Sequence, residues 1–129
     1  MSFNADQGET LLVPTSPSRN HLFVVVTERD PGGRVLIINF ETRKRITDDT
    51  VIIKAGEHPF VTHETSVRYK SARIVDADLL INKVKTGIVE SREPCSPELL
   101  EKIRLGIMKS PHTSNEVRDF YDDIIWGNI

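Results

Sequence analysis

Two apolar runs flank a proline–glycine–glycine turn in "HLFVVVTERDPGGRVLIINF", residues 21–40. Each run is continuous and rich in β-branched residues, so each reads as a strand buried on both faces. Between them Pro31 fixes its own φ, and Gly32 and Gly33 are free to take positive φ. A connection of about five residues is too short for a crossover helix, so residues 22–27 and 34–40 are expected to pair antiparallel as a hairpin. This excludes a βαβ start and points to a β-barrel.

The rest of the chain extends that plan. Leu11, Leu12 and Val13 form a short apolar patch ended by Pro14, and "PTSPSRN" (14–20) reads as a loop, so residues 1–20 are expected to be a tail and loop. Residues 50–55 give a third strand, and "GEHP" (56–59) turns the chain. Two short strands are expected around 65–69 and 71–76, and another over 86–90. "DADLLINKV" fits a helical turn or an edge strand equally well. The pattern then becomes helical. Over 96–110 Ser96 can cap, Pro97 suits the first turn, and Leu99, Leu100, Ile103 and Ile107 form a stripe. Pro111 stops that helix. "TSNE" (113–116) reads as a capping box of Thr113 and Glu116 for a second helix carrying Val117, Phe120, Tyr121, Ile124 and Ile125.

The 129 residues suit one domain, and the formal net charge of −2 confines any polyanion site to a local patch. Cys95 is the lone cysteine, which excludes an internal disulfide and a cysteine-rich zinc site. No cluster has metal-ligand spacing, no glycine-rich phosphate loop follows a strand, and no cofactor is expected. No apolar run reaches the roughly 18–20 residues of a membrane span, and the N-terminus lacks the features of a signal peptide. A cytoplasmic setting is the expectation.

The hairpin, the block "GEHPFVTHETSVRYKSARI" and the helix "SPELLEKIRLGI" together resemble the PemK/MazF-like toxin family over roughly residues 20–110. The resemblance implies an SH3-like antiparallel β-barrel over 21–110, mainly β with two C-terminal helices once the extension over 111–129 is included. It further implies a metal-independent endoribonuclease acting on single-stranded RNA, a cognate antitoxin as partner, and a homodimer. The family's Arg-Pro pair before the first hairpin strand is replaced here by His21-Leu22, with Arg19 two residues earlier. Thr42 stands one residue beyond the position of the family's threonine. A second reading follows: a catalytically inactive barrel of this fold that binds RNA or a protein.

Metal-free RNA cleavage needs a base for the 2′-hydroxyl, an acid for the leaving 5′-oxygen, and donors for the phosphorane charge. His21 has the right chemistry for acid–base work, Arg19 can hold a phosphate through its guanidinium fork, and Thr42 can donate a hydroxyl. These are the expected catalytic residues. In an extended strand Ser66, Arg68 and Lys70 share the face opposite Val67 and Tyr69, with His63 near the entering turn. Arg43 and Lys44 add charge from the loop. These six are the expected RNA-binding residues, and a solvated strand with ordinary charges is the competing reading.

Overall fold

The computed structural model describes residues 2–127, so the last two residues of the expected C-terminal extension lie outside the described residues. The protein is mainly β: six antiparallel strands curl into a half-barrel, accompanied by three helices. The strands are β1 (Thr10–Ser16), β2 (Arg19–Val25), β3 (Arg34–Thr42), β4 (Ile52–Ile53), β5 (Thr65–Asp76) and β6 (Glu90–Arg92). Their order across the sheet is β4-β5-β3-β2-β1-β6. The expected hairpin is present: β2 and β3 pair antiparallel with Val24 opposite Ile38. Asp30 pins its turn by accepting from the Gly32 and Arg34 N–H groups at 3.0 and 2.8 Å and from the Arg34 guanidinium, while Gly33 adopts φ 80°.

Both faces of this hairpin are covered, as its unbroken apolar runs require. Leu22, Val24, Leu36 and Ile38 join one core with Leu99, Ile103, Ile107, Val117 and Phe120. These last five belong to helices α2 (Pro97–Lys109) and α3 (Asn115–Trp126). Phe23, Val25, Val35 and Ile37 join a second core with Phe3, Ala5, Val89 and with Ala77 and Leu80 of helix α1 (Ala77–Lys85). The sheet is therefore the middle layer of a three-layer domain.

Several expectations change. Residues 10–16 and 19–20, expected to be tail, apolar patch and loop, are strand: β1 pairs with an earlier-starting β2 from Thr10↔Val24 to Ser16↔Arg19. Pro14 is tolerated because it lies toward the exposed end of the strand, where the sheet edge needs no donor. The two short strands expected within 65–76 are one strand with a bulge. A step from 37 to 39 on β3 is matched by 73 to 68 on β5, and the extra residues bend the strand and deepen the curl of the sheet. "DADLLINKV" resolves as helix α1, with the Asp76 carboxylate accepting from the Leu79 N–H at 3.0 Å. The strand expected over 50–55 shrinks to the two residues of β4, and that expected over 86–90 forms at 90–92.

Ser96 caps α2 as expected, accepting from Leu99 N at 3.1 Å. The cap of α3 is Ser114 in place of Thr113: its hydroxyl accepts from Val117 N at 3.2 Å, and Thr113 is buried one residue earlier. The break at Pro111 stands. Arg118 closes the junction, donating to the carbonyls of Met108, Thr113 and Ser110, and so places a cation at the negative end of α2. No helix among the described residues is long and apolar enough to cross a membrane.

Candidate functional site

One end of the half-barrel opens into a cleft of about 520 Å³. Its walls come from segments far apart in sequence: the start of β2 (Arg19, Asn20, His21, Leu22), the end of β3 (Phe40, Glu41, Thr42), Lys44, the loop before β5 (Phe60, Val61, His63) and Thr65. Leu22, Phe40 and Val61 belong to the core beneath α2 and form an apolar floor. Polar groups sit above it because the strands end there, where the alternation of buried residues gives way to loop.

All three expected catalytic residues, Arg19, His21 and Thr42, line this cleft. They reach it differently. Strand alternation puts Thr42 on the side of Ile38 and Phe40, within the cleft, and puts His21 on the side of Phe23 and Val25, at the rim. No hydrogen bond joins the three. His21 Nδ1 instead meets Thr15 Oγ1 at 2.6 Å, which fixes the ring and leaves Nε2 for a ligand. Thr42 Oγ1 meets His63 Nε2 at 3.0 Å, and His63 Nδ1 meets Thr62 Oγ1 at 3.2 Å. The Thr42–His63 pair spans 21 residues of sequence, so no local spacing announces it.

The expected RNA-binding residues divide. His63 and Lys44 line the cleft. Arg43 is engaged by Glu64 at 2.9 Å, and Arg68 pairs with Glu41 at 3.5 Å and donates to Ser71. Lys70 is exposed on β5, away from the cleft. Ser66 is 0% exposed and donates to Thr47 Oγ1 at 2.9 Å, because the 43–50 loop folds over it; it faces no ligand. The expected continuous strip Ser66–Arg68–Lys70 is thus broken at its first member. Tyr69, the aromatic of that strand, is buried and donates to the Ile103 carbonyl at 2.6 Å.

The electrostatic balance of the cleft favours an anion. Arg19 and Lys44 form no ion pair among the described residues, and the one carboxylate in the lining, Glu41, is engaged by Arg68. Cationic and hydroxyl donors over an apolar floor suit a ligand with a phosphate and a flat apolar part. Sequence reasoning missed Phe60 and Asn20; an aromatic directly after the Pro59 turn was the available signal for Phe60. No protein-family model matches the chain, and no curated protein matches it.

Proposed function

We propose that the cleft binds single-stranded RNA and cleaves it without a metal, in the manner of a PemK/MazF-like endoribonuclease toxin. The observation that carries this reading is the convergence of Arg19, His21, Thr42, Lys44 and His63 on one open cleft. A single strand fits such a site, because its backbone offers phosphates to the cations and its bases are free to splay apart.

The chemistry follows from the groups present. Arg19 and Lys44 hold the scissile phosphate. One imidazole removes the proton of the 2′-hydroxyl, whose oxygen attacks phosphorus. The 5′-oxygen leaves and takes a proton from the other imidazole. The products are a 2′,3′-cyclic phosphate and a 5′-hydroxyl end. His21, with Nε2 open, supplies one imidazole, and His63 supplies the other once the substrate takes the place of the Thr62 hydroxyl at Nδ1; Thr42, accepting from His63 Nε2, donates its own hydroxyl to the phosphorane oxygens. A homodimer and a cognate antitoxin belong to the same reading.

The test is incubation of purified protein with single-stranded RNA in excess chelator. Cleavage is expected, ending in cyclic phosphate, with His21→Ala lowering the rate by about 10²–10⁴. Binding without cleavage would favour the inactive RNA-binding barrel. Neither cutting nor binding at low salt would remove both.

A further inference from the structure

Phe60 is a large apolar side chain with 45% of its surface exposed, and it lines the same cleft as Arg19 and Lys44. Of the large exposed hydrophobic side chains, Phe60 is one that lines the cleft, and its loop is tightly hydrogen-bonded. His58, itself buried, accepts from the Phe60 N–H through Nδ1 at 3.0 Å. With Nδ1 an acceptor, Nε2 carries the hydrogen and donates to the Glu93 carbonyl at 2.5 Å. Val61 N donates to the His58 carbonyl at 2.9 Å, and Gly56 N to the Val61 carbonyl at 3.1 Å. Gly56 supplies the left-handed turn at φ 92°, and Glu57 ties it to Lys54 N at 2.6 Å and to Lys102 on α2. The backbone that carries Phe60 is therefore held before any ligand arrives, so the ordering cost of binding falls on the ring's own two torsions.

We infer that Phe60 is a stacking platform for a nucleobase, the one adjoining the phosphate held by Arg19 and Lys44. The inference rests on the nucleic-acid reading of the cleft and adds a subsite to it. Two cations without carboxylate partners attract a phosphodiester and an acidic peptide alike, and a flat ring captured beside them favours the nucleic-acid strand. Leu22, Phe40 and Val61 line the same cleft as Phe60 and the two cations, so a ring stacked there meets apolar groups and phosphate donors in one opening. Every base has a π-face, so this contact recognises a base without choosing which one. Asn20, also in the lining, has the amide needed to choose.

The test compares two ligands by fluorescence anisotropy: a short 2′-O-methyl oligoadenylate, which resists cleavage, and an abasic ribose–phosphate strand of equal length. Wild-type protein is expected to prefer the oligoadenylate. Phe60→Ala should lower affinity for it by about 5- to 150-fold, the usual worth of one base–aromatic stack, and leave affinity for the abasic strand unchanged. Phe60→Trp should keep the preference. Thermal melting of Phe60→Ala close to wild type confirms the fold. Equal losses on both strands, or no loss on either, would overturn the platform. Failure of wild-type protein to bind either strand would instead overturn the nucleic-acid reading, and the platform with it.

Discussion

Gly106 sits where α2 presses on the sheet, and replacing it by alanine tests how tightly that seam is packed. A Cβ there would overlap Tyr69 Oη and lie 2.6 Å from Tyr69 Cζ and 2.7 Å from Val51 Cγ2. Relief requires Tyr69 to move, yet its hydroxyl holds the Ile103 carbonyl at 2.6 Å in the buried core. Overpacking costs about 1–3 kcal/mol and loss of that hydrogen bond about 0.5–1.5 kcal/mol. Alanine returns about 1 kcal/mol of helix propensity. The net expectation for Gly106→Ala is a loss of about 0.5–3.5 kcal/mol, centred near 2, or roughly 8 °C in melting temperature for a domain of this size. Urea and thermal unfolding followed by circular dichroism would measure it, alongside Tyr69→Phe and the double variant. Removing the hydroxyl relieves the worst overlap and leaves the others. The double variant should therefore be more stable than the sum of single losses predicts, by at least about 0.5 kcal/mol. A Gly106→Ala protein as stable as wild type, or strictly additive losses, would refute the packing argument.

Other outcomes follow from the charges and the thiol. Burial pushes the Asp48 carboxyl up, but hydrogen bonds from Ser110 at 2.6 Å and from Thr50 more than offset this and hold it below its usual range. A depressed carboxylate stabilises the fold above its unfolded-state value and loses that effect as pH falls through the folded-state value. Asp48→Asn should thus cost about 1–2 kcal/mol near neutrality and little in strong acid, as read from urea midpoints across pH. Burial pushes the Cys95 thiol up to about 12, so a thiol reagent at pH 8 should label the native protein slowly and the urea-unfolded protein at once. Arg19→Ala and Lys44→Ala should each weaken single-strand binding and reduce the slope of log affinity against log salt by roughly 0.7, measured by anisotropy titration.

The parts of the fold legible in the sequence were those set by uninterrupted local patterns. The hairpin was readable because both runs are apolar on both faces, and α2 because Ser96, Pro97 and the leucine stripe agree. Strand β1 was hidden by Pro14 and Pro17, which signal a loop wherever the surrounding sheet is unknown. Helix α1 is nine residues long, too short for a period of 3.6 to be told from alternation. Ser114 and Thr113 are adjacent residues of equal capping chemistry, and only the burial of Thr113 separates them. Within the cleft, residue types could nominate Arg19, His21 and Thr42. The Thr42–His63 contact and the burial of Ser66 arise from how β3, β5 and the 43–50 loop come together, and no local pattern encodes that.

The two outermost strands have a consequence for how this protein keeps company. β4 offers two residues and β6 three, so neither can template a long ladder. Beyond β6 the margin of β1 carries Pro14, which has no N–H to donate, and beyond β4 the margin of β5 carries Arg68, Lys70 and Arg73. Each margin is thereby closed to a foreign backbone by brevity, by a missing donor or by charge. Crowding at high concentration should not drive this sheet to grow into fibres. Any stable association has to be made by side chains on helix faces or at the cleft, where shape and charge decide which molecule is accepted.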